Sequence, residues 1–306
     1  MKEGLKGLID FLQSDSFVNR VSQTGIYNEG WMLRLVMNEL EQEDGIDSIG
    51  NIHFEDFNKD KGIRWFSEAL LPTPFPARSK DENGNGVRIG KGENHTHADA
   101  IAGYYCFNNE VYDSDSKPPK WQETELKKIG ARFYIIEAKM KSGLSQGVTN
   151  TSGQNYNQIT RSIACIGKLI EISEINLEDI HEGEMGFCLL CPKENIISIT
   201  KGKGNFLFKA EAEVIEKDNN KILEIKKIIK DQIKERIDNY KEQESGDKED
   251  IAAGQCGWIE ENFSGLVDKI DLKVITWDTL FEKIADEGSK QKLKDFYERC
   301  KEYNRI

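Results

Sequence analysis

Apolar residues recur along this chain with two periods, and the switches between them mark out the elements. Residues 3–13 read as a short amphipathic helix. Asn28 has the residue type of an N-cap, and Glu29 carries the charge favoured in a first helical turn. Trp31, Met32, Leu35, Val36 and Leu40 then keep a helical period to about Glu43. Residues 63–71 (IRWFSEALL) read as a strand closed by Pro72, Pro74 and Pro76, and 79–94 as a Gly/Asn-rich loop. Strands follow over 98–107 and 131–138, with a polar loop containing Pro118 and Pro119 between them. A helix is expected from about Asn155 to Glu171, its stripe of Ile159, Ile163, Ile166 and Ile170 facing a sheet. Residues 185–191 (MGFCLLC) form another strand, and two more are expected within 196–215. Ile222, Ile225, Ile229, Ile233, Ile237 and Tyr240 predict an amphipathic helix with a charged outer face. Residues 243–257 read as a flexible connector, followed by a helix near 257–268, a short strand (LKVIT) and a last helical region. The order predicts an α/β (α+β) fold, a mixed sheet flanked by helices. Its core is expected over 1–215, with the C-terminal additions of 216–306 packing on that core.

Composition narrows the class. Hydrophobic residues make up 38% and charged residues 31%, and no apolar run reaches the length of a membrane span, so no membrane partner is expected. The opening MKEGLKGLIDFLQ is amphipathic and lacks the apolar stretch of a signal peptide. Six scattered cysteines read as reduced core residues of a cytoplasmic protein, and Cys188-x-x-Cys191 as packing within an apolar strand. The net charge of −12 argues against a generic basic nucleic-acid binder. The charge is uneven, however. Residues 75–168 hold 13 Lys+Arg against 10 Asp+Glu, so the rest of the chain carries −15. The acidic C-terminal third is open to a protein partner or a second copy of the chain.

The chemistry sits in that basic segment. Glu137-Ala138-Lys139 ends the strand opened by Phe133-Tyr134-Ile135-Ile136. Glu-x-Lys also occurs at Glu125–Lys127 and Glu224–Lys226, but in a polar loop and on a charged helix. Residues i and i+2 of a strand share a face, so Glu137 and Lys139 project together. Asp99 stands at the start of the preceding strand. Antiparallel pairing would set it beside Glu137. Two carboxylates in one place require a proton or a cation between them. A hard divalent cation such as Mg²⁺ or Mn²⁺ takes carboxylate, water and phosphate oxygens. Lys139 beside it would serve an attacking water or neutralise charge on a phosphate in transit. The helix that follows adds Gln154, Gln158 and Arg161, spaced four and three apart on one face.

The order of Glu29 on a first helix, Asp99 at one strand start and Glu137-Ala138-Lys139 at the next strand end resembles the PD-(D/E)XK nuclease superfamily over roughly residues 25–195. The stretch 155–165 (NYNQITRSIAC) is similar to the helix that follows the third strand there. The resemblance implies a restriction-endonuclease-like core and a metal-dependent nuclease cutting DNA, less readily RNA, in a restriction, phage-defence or repair setting. Carried over, Asp99, Glu137 and the Ala138 carbonyl would hold the Mg²⁺ or Mn²⁺, and Lys139 would serve the water. Glu29 would support the metal site and Gln158 the water or scissile phosphate. Arg161, Lys141 and Gln154 would contact the nucleic acid. The rival reading is a nucleic-acid-binding or assembly subunit that keeps the scaffold without cleavage. A second metal reading, His95 and His97 with Asp99, lacks the further His or Cys ligands that a zinc site requires.

Overall fold

The computed structural model describes residues 3–12, 14, 23–42, 63–81, 83–93, 96–107, 126–141, 157–195, 219–242 and 246–304. Gln154, His95, residues 142–153 and the two strands expected within 196–215 lie outside them. The chain enters through three helices, α1 (Glu3–Leu12), the short α2 (Gln23–Ile26) and α3 (Glu29–Gln42). It then forms β1 (Ile63–Leu71), a small hairpin of β2 (Arg78–Lys80) and β3 (Gly86–Arg88), and the long strands β4 (Thr96–Phe107) and β5 (Leu126–Ala138). Helix α4 (Gln158–Ile172) leads to β6 (Met185–Cys191). Helices α5 (Asn219–Lys241) and α6 (Gly246–Lys269), strand β7 (Asp271–Thr276), and helices α7 (Trp277–Phe281) and α8 (Glu287–Asn304) complete the described chain.

Five strands form one mixed sheet in the order β1-β4-β5-β6-β7. The first three are antiparallel, and β5, β6 and β7 run parallel. Side-chain alternation on β5 sorts the sheet into two apolar faces. Phe133 and Ile135 join the core beneath α4, α5 and α6, which includes Ile163, Ile229 and Ile259. Tyr134 and Ile136 join the opposite core with Leu35, Trp277 and Phe296 from α3, α7 and α8. The architecture is thus an α/β arrangement, a mixed five-stranded sheet with helices on both faces. The C-terminal segment does more than pack on a finished core, since β7 extends the same sheet beside β6. Among the described residues no helix is long and apolar enough to cross a membrane.

Several elements depart from the expected bounds. Strand β4 begins at Thr96 because Thr96–Ala98 pair with the last residues of β1, so Asp99 lies inside the strand. Strand β5 begins at Leu126, where it pairs with Phe107 across a bulge. A second register shift falls between Gly103 and Tyr105; Gly103 has φ 134°, and a Cβ there would lie 2.2 Å from the Arg132 carbonyl oxygen, so only glycine fits. The Gly/Asn-rich segment contains the β2–β3 hairpin. The stretch expected as a connector is helical from Gly246 onward, and it buries Ala252 and Cys256 in the core. Of the six cysteines, only Cys106 is exposed; Cys188 and Cys191 are buried and unlinked, as core packing requires.

Candidate active site

The site lies where β5 ends. The β4–β5 register pairs Ala100 with Ile136, and one residue further it sets Asp99 opposite Glu137. Asp99 Oδ2 accepts a hydrogen bond from the Ala138 N–H (2.8 Å), which locks the carboxylate against the neighbouring strand. The two carboxyl groups come within hydrogen-bonding reach of each other. Glu137 is 2% exposed. Its Oε1 accepts from both Lys139 Nζ and Gln158 Nε2.

Each partner is held from behind. Lys139 donates its N–H to the Leu190 carbonyl (2.8 Å), and its own carbonyl accepts from the Trp277 indole (3.2 Å), so β6 and α7 fix the end of β5. Gln158 is the first residue of α4. Asn157 caps that helix, its side chain accepting from the Thr160 N–H (2.9 Å). Gln232 of α5 accepts from the Thr160 hydroxyl (2.6 Å), which pins the helix start over the sheet.

Burial, followed by the charge of Asp99, pushes the Glu137 carboxyl up to about 8; Lys139 pulls the other way. Burial alone would lower the Lys139 pKa, but the carboxylates of Glu137, Asp99 and Glu29 outweigh it, and the net shift is upward. These directions describe one arrangement. The upward shift favours a protonated Glu137 at neutral pH, while its Oε1 still receives two donors and Lys139 remains an ammonium.

Glu29 occupies the first turn of α3, half-buried and within electrostatic reach of Lys139. The Asn28 cap expected for this helix is formed, its Oδ1 accepting from the Trp31 N–H (3.0 Å). Lys141 is exposed just past the strand. Arg161 lies one turn beyond Gln158, with Nε 3.3 Å from Glu93 Oε2. Glu93 also accepts from the Thr73 hydroxyl. Sequence reasoning missed Glu93, which arrives from the loop after the hairpin through a bridge to Pro76. It also missed Glu68. That residue stands across β1 from Asp99, between the pairs Ser67–Ala100 and Ala69–Ala98, with φ 59°. A left-handed glutamate inside a strand is strained backbone, and here it adjoins the carboxylate pair. Arg34 of α3 braces it through Glu68 Oε1 and Ser67 Oγ (both 3.1 Å).

Among the described residues no three His, Cys, Asp or Glu side chains group to hold a metal ion. A cation bound here would find the Asp99 and Glu137 carboxylates, with main chain and water left to complete its coordination shell. That set suits Mg²⁺ or Mn²⁺, which keep several waters, and not Zn²⁺, which wants four protein ligands or three and a water. Comparison with protein-family models, curated proteins and solved structures finds no match.

Proposed function

We propose that this protein is a metal-dependent phosphodiesterase acting on DNA, a nuclease of the PD-(D/E)XK type with a restriction-endonuclease-like core. One observation carries the reading. Asp99 and Glu137 face each other from adjacent antiparallel strands, Glu137 buried and Asp99 half-buried, with Lys139 beside them and the Glu137 carboxyl pushed up. Crowding two acids is costly, and a divalent cation in place of the proton removes the cost. Asp99, Glu137 and the Ala138 carbonyl would hold Mg²⁺ or Mn²⁺, and the cation when bound supplies Lewis-acid polarisation of the phosphate and an acidified water.

The chain's own groups do the rest. Lys139 stays protonated at neutral pH, since its acidic neighbours Glu137, Asp99 and Glu29 outweigh burial and shift it upward. Its ammonium therefore acts electrostatically, against the charge that develops on the phosphate oxygens. Gln158, which donates to Glu137 from the start of α4, is placed to donate to the attacking water or to a phosphate oxygen. Glu29 biases Lys139 toward its charged form from the side.

Incubation of the protein with supercoiled plasmid, single-stranded DNA and RNA, in Mg²⁺, Mn²⁺ or EDTA, tests this. The expected result is cleavage of DNA with either metal and none in EDTA. Lys139→Ala should keep Mn²⁺ binding by calorimetry and lose turnover by on the order of 100-fold or more. Intact substrates under every metal condition would leave the rival, a binding or assembly subunit without cleavage.

A further inference from the structure

Between the end of β1 and the start of β4 the chain makes an excursion, residues 72–93, that contains the hairpin. Its turn is organised by Asp81, whose carboxylate accepts from the Asn83 N–H (2.9 Å), the Asn85 N–H (2.7 Å) and the Asn85 amide (3.0 Å). Helices α5 and α6 then tie the excursion down. Gln255 donates to the Ser79 hydroxyl (3.0 Å), Tyr240 to the Pro76 carbonyl (3.0 Å) and Arg236 to the Lys91 carbonyl (2.9 Å). Lys91 pairs with Glu242 (2.9 Å). Arg236 is 1% exposed, and its guanidinium lies over the Phe75 ring at 4.6 Å. An excursion pinned at Pro76, Ser79 and Lys91 is a wall, not a loose loop.

This wall, the C-terminal half of α4 and Gln255 of α6 enclose an open groove of about 820 Å³, within the range of ligand sites. Its ionisable lining is Arg78, Lys80, Lys168 and Glu93. Glu93 is neutralised by Arg161. Arg88, cross-strand partner of Arg78, adds to the same edge. Lys168 pairs with Glu171 (2.8 Å), an i,i+3 surface contact that costs little to exchange. A cationic groove in a chain of net charge −12 selects an anion. No aromatic side chain lines it among the described residues, so stacked bases have no platform there.

The groove adjoins the candidate active site along α4. Gln158, Arg161, Lys168 and Ile172 follow one another at helical steps. Gln158 touches Glu137, Arg161 touches the groove's Glu93, and Lys168 and Ile172 line the groove itself. Ten residues of helix separate Gln158 from Lys168, about 15 Å, or roughly four steps of a B-form strand.

We propose that this groove binds the sugar-phosphate backbone of the substrate strand on one side of the scissile bond, through Arg78, Lys80 and Lys168, without reading the bases. The inference rests on the phosphodiesterase reading. Its test is binding of a labelled 30-mer duplex and single strand to the full chain in EDTA, at several salt concentrations. Arg78→Ala/Lys80→Ala and Lys168→Ala are compared with Lys227→Ala/Lys234→Ala, an equal charge change on exposed positions of α5. The double groove variant should lose roughly 10- to 100-fold in affinity at low salt, and its slope of log affinity against log salt should flatten by about 1.5. Lys168→Ala should flatten it by about half as much, and the α5 control should not change it. Melting temperatures report that the variants fold. Equal slopes for groove and control variants would overturn the groove while leaving the nuclease reading to its own cleavage test. The expected slopes without cleavage in any metal would support the groove and defeat the nuclease. Competition by inorganic phosphate as effective as by unlabelled oligonucleotide would make this a small-anion site and overturn the strand assignment.

Discussion

The sheet carries ionisable clusters at both ends, and they are built differently. At the β5 exit buried Glu137 pairs with Lys139, and half-buried Asp99 adds a second negative charge acting on the same lysine. At the other end, where β6 and β7 begin, the acids have separate partners. Asp268 pairs with Lys230 (2.7 Å) and Asp271 with Lys273 (3.5 Å). The Tyr134 hydroxyl donates to the Gly183 carbonyl (2.5 Å), with Asp271 Oδ2 3.0 Å away. A cavity of about 380 Å³ opens there as well, with Glu182, Asp271, Lys226 and Lys273 in its lining, two charges of each sign. The two lysines report the contrast. Lys139 is driven up by surplus carboxylate, whereas Lys226 is driven down by burial and donates to a neutral carbonyl, that of Asp268 (2.7 Å). A cavity with charges is therefore not enough to mark a reactive site. What separates the ends is a desolvated excess of one sign, which only a proton or a cation relieves.

The largest effect should come from removing that excess. Asp99→Ala and Glu137→Ala are each expected to abolish Mn²⁺ binding in calorimetry and to cut DNA cleavage by on the order of 10³. The metal-free fold should change little, since the hydrogen bonds lost, each worth about 1 kcal/mol, are offset by relieved repulsion. Asp268→Asn and Asp271→Asn, at the compensated end, should leave the Mn²⁺ isotherm unchanged. Metal binding that survives both site substitutions would erase the distinction between the ends.

A second test uses pH. Glu137 titrates near 4.5 when unfolded and near 8 when folded, so between these values the folded chain binds more protons than the unfolded one. Stability of the metal-free protein should therefore fall as pH rises from about 4.5 to about 8, by on the order of a few kcal/mol. Lys139, shifted upward, keeps its proton throughout this window and does not reverse the slope. Glu137→Gln should flatten the profile. Saturating Mn²⁺ should do the same in the native protein, with release of about one proton per metal bound below pH 8. Denaturant melts across the range check it, and a slope that persists in Glu137→Gln would assign it to other groups.

How much of this was legible in sequence follows from the range of the contacts. Asp99, Glu137 and Lys139 were readable because strand alternation and antiparallel register are local rules, and they hold even though β4 starts earlier than expected. The stripe of Ile159, Ile163, Ile166 and Ile170 was readable for the same reason, and all four are buried. Glu93 was not readable. It follows a Gly-rich stretch whose two three-residue strands are too short for periodicity, and its partner Arg161 comes from a helix far along the chain. Arg161 consequently had the look of a solvated phosphate contact, while the structure engages it with Glu93. The first half of α6 was hidden by composition: Gly, Asp and Ala read as a connector, and contacts from Ala252 and Cys256 into the core override that propensity.

The smallest effect belongs to Lys226. Its ammonium is buried at 8% exposure, and burial lowers its pKa from 10.5, with Glu182, Asp268 and Asp271 only partly opposing the shift. A lysine whose folded pKa is depressed binds fewer protons in the folded state, so it costs stability at neutral pH and the cost fades as pH rises toward 10.5. Lys226→Met removes the charged head and keeps the apolar stem along Ile222 and Leu272, its neighbours in the cavity wall. It also removes the hydrogen bond to the Asp268 carbonyl, worth about 1 kcal/mol. The two changes oppose each other, so stability at pH 7 should move by less than about 1 kcal/mol. The alkaline rise of the wild-type profile should disappear in the variant. Lys139→Met should behave in the opposite sense, because it strips the counter-charge from two acids and steepens the loss of stability toward pH 8. Melting curves at pH 7 and pH 10 for both variants decide the matter. A loss of several kcal/mol in Lys226→Met would show that the compensated end depends on its lysine as much as the β5 exit does.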